Sequence, residues 1–249
     1  MGILKKLTEE YFGDTVREED FIDIHDLNIE IVSFTDNNDK FHKKGYKPKD
    51  KDTLEKLLER MIKMRGDEGD FNDIDTSDIE SMESLFNYNS TFNGDITGWN
   101  VSSVIDMNHM FYNAKSFNQP IGKWEFPNVK DMNNMFYNAI SFNQPIGKWK
   151  FPNVKNMNRM FWGASSFNQP IGDWEFPNVE NMEFMFSYAE SFNQPIGNWE
   201  FPNVTDMSSM FYGAASFDQD LSKWDLKGKE KIDMFFYCPI KDEYKPKMK

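Results

Sequence analysis

The chain has 249 residues, a formal net charge of −13 and only 39% hydrophobic residues, yet aromatics make up 16% of it. Such acidity argues against non-specific binding to nucleic-acid backbones or anionic membranes, which need a basic surface. The single cysteine, Cys238, excludes an internal disulfide framework, and no run of apolar residues is long enough to span a membrane.

Taken in chain order, "MGILKKLTEEYFGDTV" has neither a long apolar core nor a small-residue cleavage site, and no cysteine placed for a lipid anchor. It predicts no signal peptide, so the expected location is cytoplasmic or otherwise intracellular, with association with a virion or a cell surface as the alternative. Within it "ILKKLTEEYF" reads as a short helix. "NIEIVSF", from Asn28 to Phe34, reads as a strand, and "TDNNDKFHKKGYKPKDKD" as a polar, lysine-rich linker. "KDKDTLEKLLERMIKMRGDEG" predicts an amphipathic helix near 52–65. Leu54, Leu57, Leu58, Met61 and Ile62 share one face, and Gly66 ends it. The expected role of this helix is to cover the apolar end of the first downstream coil; the alternative is docking a partner. Residues 1–69 are thus a non-repeating N-terminal segment.

From residue 70 the chain repeats. Tryptophan falls at Trp99, Trp124, Trp149, Trp174, Trp199 and Trp224, always 25 residues apart. Phe92, Phe117, Phe142, Phe167, Phe192 and Phe217 form a second column, and Phe86, Phe111, Phe136, Phe161, Phe186 and Phe211 a third. Between them the word "FNQPIG.W.FPNV" recurs four times from Phe117. A half-unit from Phe71 precedes the array, and "IDMFFYC" from Ile232 closes it one residue short. A fixed period of this length marks stacked repeats, with degenerate end copies as caps. The repeat region is therefore 70–240, with six main units, and 241–249 is a basic C-terminal tail expected to be mobile.

Within "NVKDMNNMFYNA", Met132, Met135, Phe136 and Ala139 keep the i, i+3, i+4, i+7 spacing of a helix face. Asp78, Ser103, Asn128, Asn153, Asn178 and Asn203 stand where helix N-caps belong, and Asp106, Asp131 and Asp206 where a capping box closes. Asn113, Asn138, Gly163 and Gly213 suit a left-handed stop, a rule that Tyr188 breaks. "SFNQPIG" and "WEF" read as short extended segments. The expected fold is an α/β repeat solenoid, leucine-rich-repeat-like, with one short helix and short parallel strands per 25-residue coil and a helical N-terminal cap.

The pattern W-x-[VF]-x-N-V-x-[DN]-M-x-x-M-F-x-x-A-x-S-F-N-Q-x-I, running from about Phe71 to Cys238, resembles the BspA-like bacterial surface-protein repeats, a group related to leucine-rich repeats. The resemblance implies a solenoid and a role in adhesion or protein interaction. Such repeats occur in bacterial surface lipoproteins, in some protists and in large DNA viruses, and they bring no catalytic residues. Where the family often has Asp after "NQ", as at Asp220, this chain has Pro120, Pro145, Pro170 and Pro195.

No Walker motif, G-x-G-x-x-G, nucleophile elbow or H-E-x-x-H is present, and His25, His42 and His109 have no metal-ligand spacing. The expectation is a non-enzyme without cofactor or metal. Asn118, Asn143, Asn168 and Asn193, with Gln119, Gln144, Gln169 and Gln194, are expected to bond from coil to coil as an amide ladder; the alternative is a repeated ligand site. Tyr112, Tyr137, Trp162 and Tyr212, with Ser187 interrupting their column, are the candidate binding stripe. Residues either side of each tryptophan vary in charge: Lys123, Lys148, Asp173, Asn198 and Lys223 before it, and Glu125, Lys150, Glu175, Glu200 and Asp225 after it. The reading is a non-catalytic scaffold for protein–protein or other macromolecular interaction. The alternatives are a structural component that self-assembles into a particle or surface layer, and a surface adhesin.

Overall fold

A computed structural model describes residues 24, 26–27, 29–35 and 41–247; the helix expected in "ILKKLTEEYF" lies outside them. Strand β1 (Ile29–Thr35) and strand β2 (Phe41–Pro48) pair antiparallel. The stretch expected as a linker is therefore partly strand. Tyr46 packs against the apolar cluster and Gly45 and Pro48 are buried, which the polar count of the stretch hid. β2 continues into the repeats: Tyr46 N–H donates to Asp73 O and Asp75 N–H to Tyr46 O, both at 2.8 Å.

Helix α1 (Lys51–Arg65) follows. Asp50 caps it, accepting from Thr53 N at 2.9 Å, and Gly66 ends it at φ +78° with its N–H on Ile62 O. Leu54, Leu57, Leu58 and Met61 are buried in one apolar cluster with Phe71, Ile79 and Met82 of the first unit. Arg65 clamps the junction, its guanidinium donating twice to the buried Asp73 carboxylate at 2.7 Å. Among the described residues no helix is long and apolar enough to cross a membrane.

The repeat units contain no α-helix and no multi-residue strand among the described residues. The segment expected as helix, "NVKDMNNMFYNA" from Asn128 to Ala139, instead holds a run of tight turns over 133–138. Met135 N–H donates to Met132 O, Tyr137 N–H to Asn134 O and Ala139 N–H to Phe136 O, each three residues back. The intervening amides leave the unit altogether. Met132 donates to Asn156 O at 3.0 Å, Asn134 to Asn158 O at 2.9 Å, Phe136 to Met160 O at 2.9 Å and Asn138 to Trp162 O at 2.6 Å. Three of these donors thus hold the turn and four hold the next unit. The cause is local: Asn134 and Asn138 sit at φ +55° and +54°, each at the third position of a four-residue turn that favours Gly or Asn. A residue in that conformation every fourth position stops helix propagation.

The capping expectation changes accordingly. Asp131 Oδ1 accepts from Asn133 N at 2.8 Å, an Asx turn, and Asp106 and Asp206 do the same two residues on. Asn153, Asn178 and Asn203 reach back to the preceding unit, their Nδ2 donating to the carbonyls of Pro127, Pro152 and Pro177 at 2.6–2.7 Å. Among the described residues, strand-like pairing in the repeats consists of single-residue parallel bridges, Tyr46 to Ile74, Asp70 to Asp95 and the run Ser81, Asp106, Asp131, Asn156, Asn181, Asp206, Glu230.

Inside, each aromatic column stacks on itself. Phe111, Phe136, Phe161, Phe186 and Phe211 lie 5.4–5.8 Å apart and within 8° of parallel. Trp149, Trp174, Trp199 and Trp224 repeat at 6.2–6.4 Å. The indole N–H groups are satisfied across units: Trp174 donates to Ile146 O and Trp199 to Ile171 O, both at 3.1 Å. Trp124 Nε1 is buried without such a partner, and nothing in the structure explains it. Gly147 is required sterically, since a Cβ there would lie 2.4 Å from Pro170 O of the next unit.

The final unit pairs one residue early, Phe211 N–H reaching Met234 O, as its missing residue requires. Beyond it the chain does not run free through residue 247. A 3₁₀ turn (Asp242–Tyr244) folds back so that Leu221 N–H donates to Tyr244 O at 2.8 Å, with Ile240 and Pro246 buried. The tail's charge suggested mobility, but its apolar residues dock on the last unit.

Candidate functional site

The turn segments place one aromatic ring per unit on the same outer face. Tyr112 stacks on Tyr137 at 4.4 Å and 11°, and Tyr137 on Trp162 at 4.3 Å and 5°. These three rings and Tyr212 are each half-buried because neighbouring rings cover their faces. What reaches solvent is the ring edges, so this face offers no flat platform to a planar ligand.

Ser187 interrupts the column and is fully buried, its Oγ donating to Ser209 O at 2.7 Å. The adjacent Tyr188 fills the gap, edge-on to Trp162 at 5.2 Å and to Tyr212 at 5.4 Å. Tyr88 extends the row at one end, 5.3 Å from Tyr112, while Phe236 and Tyr237 extend it at the other, 5.5 and 5.7 Å from Tyr212. Reading single columns missed these four. Tyr88, Tyr188 and Tyr237 belong to the neighbouring column, the one otherwise held by Asn113, Asn138, Gly163 and Gly213.

That neighbouring column is where the backbone is left-handed: Tyr88, Tyr188 and Tyr237 sit at φ +58°, +54° and +55°. For a side chain with a Cβ this conformation costs roughly 1–2 kcal/mol, which glycine avoids. Tyr188 is accommodated because Gly213 follows it in the next unit; a Cβ at Gly213 would meet the Tyr188 ring at 2.8 Å. Beside this row, Arg159 lies over the Phe184 ring at 4.5 Å, and both are again at positive φ. The pKa of Tyr112 is pushed up to about 12, first by desolvation and then by Tyr137 and Tyr88 beside it; desolvation and then Tyr188 raise Tyr212 as well.

The amide residues lie on another face and bond from unit to unit. Asn118 Oδ1 accepts from Asn143 N, Asn143 Oδ1 from Asn168 N and Asn168 Oδ1 from Asn193 N, at 2.9–3.0 Å. Gln144 Nε2 donates to Asn118 Oδ1, Gln169 to Asn143 and Gln194 to Asn168, while Gln119 bonds Asn93 O. These bonds engage the Asn Oδ1 and Gln Nε2 atoms from one unit to the next. Nearby, Lys123, Lys148, Asp173 and Asn198 edge a shallow groove of about 880 Å³ floored by the Pro and Gly columns.

Among the described residues no three His, Cys, Asp or Glu side chains gather as a metal site. His109 Nδ1 lies 2.6 Å from Asn108 Oδ1, its ring 5.3 Å from Tyr112. The Cys238 thiol is raised to about 11 by burial, the wrong direction for a nucleophile.

A family model described as "Mycoplasma protein of unknown function, DUF285" matches residues 54–164 and again 145–244, together well over half of the chain. The chain belongs to the DUF285 family. The DUF285 match begins inside α1, so the family unit includes the apolar face that covers the first repeat as well as the repeats. No curated protein and no solved structure matches the chain.

Proposed function

We propose that this DUF285 chain is an elongated, non-catalytic solenoid scaffold that docks a protein partner along the aromatic row from Tyr88 to Tyr237. The finer kinship proposed is with the BspA-like, leucine-rich-repeat-related group, on the word "FNQPIG.W.FPNV" and its 25-residue period. The observation that carries the reading is the placement of large aromatics at strained positions. Tyr88, Tyr188 and Tyr237 occupy left-handed sites where Asn or Gly serves the fold in the other units. The fold gains little from Tyr88 or Tyr237, which are 68% and 74% exposed. Rings whose edges and hydroxyls line up at one per unit are suited to a partner surface that is apolar but rich in hydrogen-bond acceptors.

The test is a pull-down with the intact protein to isolate the partner, followed by titration with the Tyr137→Ala/Trp162→Ala variant. Loss of two central rings of this kind is expected to weaken binding on the order of 30-fold or more, with the thermal transition still cooperative. Binding unchanged in a folded variant would remove the aromatic row as the docking surface.

A further inference from the structure

The central units carry proline where the units on either side carry aspartate. Asp95 and Asp220 stand in the column of Pro120, Pro145, Pro170 and Pro195. Each aspartate serves a donor two residues on: Asp95 Oδ1 accepts from Thr97 N and Asp220 Oδ1 from Ser222 N, both at 2.9 Å. A proline side chain offers no acceptor. The equivalent N–H groups, those of Gly122, Gly147, Gly172 and Gly197, have no acceptor among the described residues. Proline in place of aspartate thus opens one backbone donor per unit.

These donors share one feature of the surface. Gly122, Gly147 and Gly172 line the 880 Å³ groove together with the four prolines. In the aspartate units the side chain reaches the donor from the proline position, so the donor faces the side on which the prolines lie exposed. Along the rim stand Lys123, Lys148 and Asp173, all exposed and none in an ion pair among the described residues. Lys150 and Lys155 nearby are paired with Glu175 and Glu180. On a chain of net charge −13, two adjacent unpaired lysines make a local positive site. No residue of the aromatic row lines this groove.

The period of the stack selects the conformation of an occupant. The tryptophan column beside the rim advances 6.2–6.4 Å per unit. Two residues of extended chain advance about 6.4–6.8 Å, and less when the chain is strongly twisted. A polyproline II chain repeats every ~9.3 Å and a helix every ~5.4 Å, and neither keeps step with the units. An extended chain also turns alternate carbonyls to the same side, which brings one acceptor to each unit.

We propose that the groove holds an extended segment of a partner protein, recognised by its backbone and by its charge pattern. Carbonyls of residues i, i+2 and i+4 accept from the N–H groups of Gly122, Gly147 and Gly172. Side chains at the same spacing meet the rim, acidic at Lys123 and Lys148 and basic at Asp173. The pattern read is acidic-x-acidic-x-basic, running from Lys123 toward Asp173. This site is separate from the aromatic row and stands or falls independently of it.

The test uses two capped peptides, Thr-Glu-Thr-Glu-Thr-Lys-Thr and the same sequence reversed, because the donors leave chain direction open. Each is titrated into the full chain and followed by amide NMR. One of them is expected to give saturable shifts at Gly122, Gly147 and Gly172, and its charge-swapped version to bind on the order of tenfold more weakly. Pro145→Asn returns an uncharged acceptor to Gly147 N–H and is expected to weaken binding about fivefold or more. Pro145→Ala returns none and is expected to bind as the wild type does. Pro170→Asn repeats the measurement at Gly172, and every variant is checked for a melting temperature like that of the wild type. No saturable shift with either peptide, or shifts confined to the aromatic row, overturns the proposal. So does equal binding by the charge-swapped peptide or by the folded asparagine variants, or an equal loss in Pro145→Ala, which would assign the contact to the ring rather than the donor.

Discussion

Replacing Trp174 with alanine is expected to lower the free energy of unfolding by about 3–5 kcal/mol. The indole is 2% exposed, with Trp149 and Trp199 at 6.4 Å on either side and Phe151 edge-on at 4.8 Å. Those neighbours are themselves held by rings in the next units, so the cavity cannot collapse. Truncation also strands Ile146 O, which accepts from Trp174 Nε1. Urea denaturation reads the effect as a lower midpoint. Because nearest-neighbour contacts carry such arrays, a slope that also falls would mean the stack now opens on either side of the lesion. A loss under about 1 kcal/mol would mean that the columns contribute far less than their burial implies.

The second large effect is expected at the joint between α1 and the first unit. Arg65→Ala leaves the Asp73 carboxylate, 5% exposed, without its two-pronged partner, and removes the donor to Asp70 O as well. Stranding one buried member of such a pair costs about 3–5 kcal/mol. Arg65 itself is partly exposed, which places the expectation near the lower figure. The loss should be local, so hydrogen exchange is the measurement: amides of Leu54, Leu57 and Met61 speed up, while those of the central units do not. Lys155→Ala, which removes an exposed pair with Glu180, is the control expected to change neither. Equal acceleration in all units would show that the cap and the stack unfold as one.

Large parts of this arrangement are legible in the residues alone. The period, the buried Phe, Met and Trp columns, the asparagine–glutamine ladder positions and the face of α1 all follow from spacing and polarity. Within the unit, helix and turn are not separable that way. A chain of four-residue turns buries Met132, Met135, Phe136 and Ala139 as a helix does, since a period of 4 and one of 3.6 coincide over eight residues. The discriminating signal was present in Asn134 and Asn138, both tolerant of positive φ and four residues apart. The columns also hold bulky residues there, such as Arg159 and Phe184, which masked it.

The candidate row was half legible for a related reason. Tyr112, Tyr137, Trp162 and Tyr212 share a column and were visible as a stripe. Tyr188 restores the row from one position over, because Ser187 turns inward and Gly213 makes room. That substitution is a property of packing between units, which no single column records. β2 was hidden by its lysines and the docked C-terminus by its net charge. In both, a few inward apolar residues outweigh the polar average.

The turn segments bond outward to the next unit rather than inward as helices. Scalar coupling across hydrogen bonds, read by long-range carbonyl–amide NMR on deuterated protein, tests it directly. The amide nitrogen of Met132 should couple to the carbonyl carbon of Asn156, and that of Phe136 to Met160. Coupling of Met132 to Asn128 and of Phe136 to Met132, four residues back, would establish helices and contradict the account.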